Sequence, residues 1–79
     1  MTNNEEVKKR VYRIVGEVMN IPCTVLNDQL SVENCANWTS LNHMALVLSL
    51  EKEFGVTFSY HDIVNKLISL KGILEALNP

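Results

Sequence analysis

The sequence predicts an all-α fold: a small four-helix bundle with a long first loop and a short third helix. Three observations predict it. Apolar residues recur at steps of three and four in separate stretches, the period of a helix with one buried face. Serine or threonine precedes several of those stretches, where a hydroxyl can cap a helix start. The chain has 79 residues, room for a single domain over 1–79.

The first helix is predicted from about Asn4 to Met19. Thr2 with Glu5 fits a capping box, the hydroxyl capping the first amides and the carboxylate reaching back. Val7, Val11, Ile14, Val15 and Val18 make one apolar face, while Lys8, Lys9, Arg10 and Arg13 point elsewhere. Pro22 limits extension. Residues 20–39 form a long connection rich in Asn, Asp, Ser and Pro, a length that tends to be functional. Val25, Leu26, Leu30, Val32 and Trp38 are its expected anchors, with a short helical turn near Thr24 to Asp28.

The second helix is predicted from Ser40 to Phe54, capped by Thr39 or Ser40. Leu41, Met44, Ala45, Leu48 and Phe54, flanked by Val47 and Leu50, give a wide apolar stripe. Leu41 is expected to point inward and lock the helix start. Asn42, His43, Ser49 and Lys52 fall on or near the exposed side. Gly55 is a natural C′ residue, and Val56, Thr57 and Phe58 form an extended link. Ser59-Tyr60-His61-Asp62 is another capping signature, opening a short helix through about Leu67. Ser69 caps a last helix carrying Leu70, Ile73, Leu74 and Leu77, ended by Asn78-Pro79. Gly72 inside that helix costs about 1 kcal/mol of propensity relative to Ala.

Composition narrows the function. A core in so small a chain rarely supplies more than about 3–5 kcal/mol of net stability, and it leaves little room for a substrate pocket, so an autonomous enzyme is not expected. The net charge of -2 argues against nucleic-acid binding, which usually needs a basic patch. No helix presents the basic face of a helix-turn-helix reader. The longest apolar run, Met44 to Leu48, is far short of the roughly 18 residues of a membrane span. The polar start, Met1 to Arg13, lacks the apolar stretch of a secretory signal, so a cytoplasmic location is expected. Cys23 and Cys35 lie 12 positions apart and are expected to be free thiols in a reducing compartment. A zinc site from Cys23, Cys35, His43 and His61 would need three irregular spacings and is disfavoured. A Cys–His catalytic pair is equally unsupported.

Charge is segregated. Residues 1–13 carry +2, residues 14–63 carry -5 and residues 64–79 carry +1. An acidic middle suits a docking face for basic partners, where electrostatics steers encounter more than it adds affinity.

The stretch Trp38-Thr39-Ser40-Leu41-Asn42-His43-Met44 sits where the long loop meets the second helix. A serine there is by itself most often a cap. The surrounding order is more specific: helix, long loop, serine at a helix start, acidic helix end, Phe-Gly, two more helices. With Leu46-Val47-Leu48-Ser49-Leu50-Glu51-Lys52-Glu53-Phe54-Gly55-Val56-Thr57-Phe58, the chain resembles the acyl carrier proteins over nearly its full length. The central twenty or so residues carry the resemblance.

That resemblance implies a four-helix bundle whose Ser40 carries a phosphopantetheine arm donated by coenzyme A. The arm's thiol holds acyl groups as thioesters, and the carrier itself catalyses nothing. It implies as partners a phosphopantetheinyl transferase and acyl-loading, synthase or acyltransferase enzymes with basic docking patches, in fatty acid, polyketide or related biosynthesis. The carrier is expected to be monomeric. Thr39, Leu41, Asn42, Met44, Glu51, Glu53 and Asp62 are the implied docking residues. Leu41, Met44, Phe58, Ile63 and Leu67 are the implied lining of a space for the acyl chain. The family usually has Asp before the serine. Thr39 keeps the cap but lacks the carboxylate that helps attract a basic transferase. Trp38 ahead of the signature resembles free-standing carriers of specialised pathways. A peptidyl carrier ranks lower, because those usually place Gly before the serine region and this chain has Asn37-Trp38-Thr39. A non-carrier helical interaction module, with Ser40 only a cap, is the alternative of another class.

Overall fold

The computed structural model describes residues 4–77, apart from the side chains of Asn4 and Cys23. The elements run α1 (Asn4–Met19), a 3-10 turn (Cys23–Val25), α2 (Ser40–Phe54), α3 (Tyr60–Asn65) and α4 (Leu70–Leu77). The all-α expectation holds: four α-helices and no strand among the described residues. The expected cap at Thr2 and stop at Asn78-Pro79 lie outside those residues. So does any part for the Cys23 thiol.

Each helix ends where its sequence stops supporting it. At the end of α1, Asn20 takes a left-handed conformation (φ 58°). The Ile21 amide then donates back to the Gly16 carbonyl at 2.9 Å, the six-to-one bond of a Schellman ending. Gly55 (φ 63°) does the same for α2, with Val56 N–H donating to the Glu51 carbonyl at 3.2 Å. Ser59 caps α3 by accepting from the Asp62 amide at 3.2 Å. Ser69 caps α4 by accepting from the Gly72 amide at 3.0 Å. The third helix stops at Asn65, short of the expected Leu67.

α1 is the central post, packing on α2 and α4. Its predicted face is the buried one, joined by Met19; Val18 is only partly covered. Leu46, Val47 and Leu50 meet it from α2, and Leu67, Leu70 and Ile73 from the far end of the chain. Leu46, Leu50, Leu67, Leu70 and Ile73 are wholly buried, each stabilising the fold by about 1.5–3 kcal/mol relative to an exposed side chain. No polar side chain is buried among the described residues. α3 stands apart: none of its residues is buried. No described helix is long and apolar enough to cross a membrane.

The long connection is ordered, but partly by other residues than expected. Leu26 and Trp38 are buried and Leu30 half-buried, whereas Val25 and Val32 are exposed; Cys35 takes an anchoring place instead. Asparagines supply the remaining ties. Asn34 accepts from the Ser31 amide at 2.9 Å and donates to the Gln29 carbonyl at 2.8 Å. Asn37 donates to the Met19 carbonyl at 2.8 Å, satisfying an unpaired group at the end of α1. Ser31 and Ser69 form an isolated antiparallel bridge, in which Val32 N–H donates to the Ile68 carbonyl and Leu70 N–H to the Leu30 carbonyl, both at 3.0 Å.

A titrating contact ties the loop to α1. The Tyr12 hydroxyl donates to Asp28 Oδ1 at 2.6 Å. Burial, then this hydrogen bond, then the Asp28 charge push Tyr12 up from 10.0 to about 12. The unfolded chain therefore loses this proton first. Stability from the contact is complete below about pH 10 and falls as pH rises through about 12. Urea midpoints measured across that window should drop more steeply in the wild type than in Tyr12→Phe. Parallel slopes would show that Tyr12 ionisation is not linked to folding.

Candidate functional site

The start of α2 is built by the residue before it. Thr39 is extended (φ -82°, ψ 169°), its Oγ1 accepting from the Asn42 amide at 3.2 Å and its carbonyl from the His43 amide at 2.8 Å. Of the two capping candidates, Thr39 is therefore the one that caps. The residue at this position serves as N-cap, a task Thr and Asp perform alike. Thr39→Ala should cost about 0.5–2 kcal/mol and Thr39→Asp much less, read as shifts in urea midpoint; equal losses would mean the cap contributes nothing.

With Thr39 capping, Ser40 is the first helical residue. Its side chain is exposed and makes no hydrogen bond among the described residues. The amides of Ser40 and Leu41 belong to the unpaired set of a helix start, so the positive end of α2 lies at this hydroxyl.

Behind Ser40 runs a chain of hydrogen bonds through three segments. Trp38, 5% exposed, donates from Nε1 to His43 Nδ1 at 2.9 Å. His43 Nε2 lies 2.8 Å from the Ile63 carbonyl. Because Nδ1 accepts, the proton sits on Nε2 and is donated to Ile63. The Ile63 carbonyl needs it: Leu67 N–H, its partner in a continuing helix, bonds the Asp62 carbonyl instead at 2.9 Å. His43 thus caps α3 from α2. It is half-buried, not the surface residue the sequence suggested, and Asn42 is likewise tied down, donating to the Asn37 carbonyl at 2.7 Å.

Beside Ser40 opens a groove of about 400 Å³, lined by Trp38, Thr39, Ser40, His43 and Met44 on one side and Tyr60, Ile63 and Val64 of α3 on the other, with Val32 at its edge. Apart from Ser40, Thr39 and His43 its walls are largely apolar.

The implied acyl lining does not gather in one place. Met44 and Ile63 line this groove. Phe58 lines a different cavity of about 550 Å³, with Val7, Phe54 and Leu77. Leu67 is wholly buried in the core. Leu41 does not point inward: it is 79% exposed. The inner face of α2 is set by Leu46, Val47 and Leu50, and Leu41 is about half a turn away from it. Leu41, Met44 and Leu48 instead form an exposed apolar stripe at steps of three and four.

The implied docking residues divide as well. Thr39, Leu41, Asn42 and Met44 cluster at the start of α2. Glu51 and Glu53 sit at its other end and are already engaged. Glu51 Oε2 accepts from the Phe58 amide at 2.9 Å, fixing the link to α3. Glu53 faces Arg13 at 3.2 Å and Arg10 at 3.8 Å. Lys8 likewise faces Asp28 at 3.8 Å. The basic α1 thus answers part of the acidic middle within the chain. The groove beside Ser40 is itself lined by no acidic residue. Asp62 is half-buried at the start of α3.

Sequence reasoning missed Tyr60 and Val64 as parts of the site, and placed Trp38 and His43 in the Trp38–Met44 stretch without the hydrogen bond that joins them. The available signal was an indole donor one residue before the cap with an imidazole five positions on. Among the described residues no three His, Cys, Asp or Glu side chains gather to hold a metal ion. No family model matches the sequence, and no curated protein matches it.

Proposed function

We propose that the chain is an acyl carrier protein, a four-helix bundle of that family's arrangement that bears phosphopantetheine on Ser40. One observation carries the reading: an exposed hydroxyl, without a hydrogen bond among the described residues, on the first residue of a capped helix with an apolar groove beside it. The residues fit the group. A transferase could reach the hydroxyl, and a phosphodiester there would meet the positive end of α2. Ser40 Oγ would form the new phosphoester bond, the phosphoanhydride of coenzyme A would break, adenosine bisphosphate would leave, and the hydroxyl proton would pass to the transferase. When bound, the arm supplies the thiol that holds the acyl load. The chain's own residues position it and present it. On this reading the protein is not an enzyme. It works as a cytoplasmic monomer between acyl-loading, synthase or acyltransferase enzymes.

The test is intact mass after incubation with coenzyme A and a broad-specificity phosphopantetheinyl transferase. The wild type should gain one phosphopantetheine and Ser40→Ala none. No gain on the wild type, or an equal gain on both, would falsify the reading. The exposed stripe of Leu41, Met44 and Leu48 also favours a second reading, a helical interaction module that needs no cofactor. In that case partner binding survives Ser40→Ala.

A further inference from the structure

We propose that His43 is a proton-operated latch at the start of α2. Neutral, it joins Trp38 to α3; with a second proton, on Nδ1, it lets go of Trp38 and keeps α3. The latch does not rest on the carrier reading.

The geometry admits only the neutral ring. Nδ1 accepts the Trp38 indole N–H at 2.9 Å, and Nε2 lies 2.8 Å from the Ile63 carbonyl. In an imidazolium both nitrogens donate. Nδ1–H would then face the indole N–H, donor against donor, and turning the ring over would present the same clash. The indole π face gives no relief in this pose. The imidazole meets the N–H edge, the positive part of the ring, with centroids 6.2 Å apart and planes tilted by 36°. The Ile63 contact responds the opposite way, because a charged donor strengthens it. A buried indole N–H without an acceptor is costly, so Trp38, 5% exposed in the latched state, has to turn toward water.

The proton can arrive, since His43 lines an open groove, and Tyr60 is the only other titratable side chain lining it among the described residues. On α3, His61 and Asp62 face each other at 3.8 Å, and Asp62 lines the cavity at Phe58. On the long connection, Glu33 lines the hollow at Ser31 and Ser69, and the Cys35 thiol is buried. On α2, Glu51 lies about two turns on and holds the Phe58 amide. The Trp38–His43 bond is one of three ties across the segment that presents Ser40, with Thr39–Asn42 and Asn37–Asn42. The other two contain no titratable group, so acid loosens the start of α2 without dismantling it.

The test follows Trp38, the chain's single tryptophan, by its emission maximum between about pH 5 and 8, the span over which histidine changes charge. Circular dichroism is recorded in parallel. The wild type should shift to the red as pH falls, with its helix content kept. His43→Asn places an amide oxygen where it can accept from the indole and does not titrate, so its emission should stay fixed. His61→Asn should behave as wild type. A fixed wild-type emission, an equal shift in His43→Asn, loss of the shift in His61→Asn, or loss of helix at the same midpoint each overturns the latch. If His43→Asn does not fold, NMR of the nitrogen-labelled wild type decides. At the alkaline end the His43 proton should sit on Nε2, and the Trp38 indole cross-peak should move at the His43 midpoint. A proton on Nδ1 there, or an indole peak that moves at another midpoint, overturns the latch equally.

Discussion

Gly72→Ala should be the most damaging single-methyl change in this protein. A Cβ at position 72 would lie 1.8 Å from the Lys66 carbonyl oxygen and 2.9 Å from its carbon. Both are backbone atoms and cannot swing aside as a side-chain tip could. Lys66 is itself held, its amide donating to the Asp62 carbonyl at 2.8 Å. The Gly72 amide is held from the other side by Ser69 Oγ. Relief therefore requires α4 to move off the turn that follows α3. The cost should reach or exceed the upper end of the roughly 1–3 kcal/mol typical of overpacking. The helix propensity recovered, about 1 kcal/mol, does not offset it. For a domain of this size that is a fall in Tm of more than about 10 °C. Gly55→Ala gives the comparison: its Cβ would meet nothing within 4 Å, and only the left-handed φ is strained, at about 1–2 kcal/mol. Thermal melts followed by circular dichroism should rank wild type, Gly55→Ala, Gly72→Ala in falling order. A Gly72→Ala melt within a few degrees of wild type would mean that the contact relaxes freely.

Trp38→Ala should be comparably severe. It removes a large buried ring, a change that costs about 3–5 kcal/mol, and takes away the partner of His43 Nδ1. Trp38→Phe separates the two effects, keeping much of the ring and losing the N–H. It should cost about 1–2 kcal/mol, the lower part of the range for a desolvated acceptor left unpaired, since His43 is half-buried. Urea titrations of the three proteins measure both. If Trp38→Phe matched wild type, the hydrogen bond to His43 would be dispensable, and packing alone would explain Trp38.

Apart from the end of α3, the helix boundaries were readable because they depend on local chemistry. Thr39 and Gly55 bracket α2, Ser59 and Ser69 open α3 and α4, and each acts within four residues of itself. The orientation of α2 was not readable. Apolar residues surround it at 41, 44, 46, 47, 48 and 50, so periodicity could not tell the core face from the exposed one, and Leu41 was assigned to the wrong side. His43 was misread because both its partners are fixed by tertiary structure, one of them a backbone carbonyl twenty positions away. Gly72 looked like a weak point in a helix. Its real role, admitting the Lys66 carbonyl, exists only once the turn after α3 closes on the start of α4. Glu53 counted toward an acidic surface until α1 brought Arg10 and Arg13 to it.

The Ser31–Ser69 bridge changes how the chain's longest connection should be regarded. Twenty residues separate α1 from α2, and an untethered span of that length would be the obvious place to insert a tag or open a new terminus. Instead it is fastened near its middle to the joint before α4, and so behaves as two shorter closures. Loop entropy grows only with the logarithm of length, so lengthening either half should be cheap. Cutting at the fastening would release Leu30 and Leu70 together and uncouple the two ends of the fold.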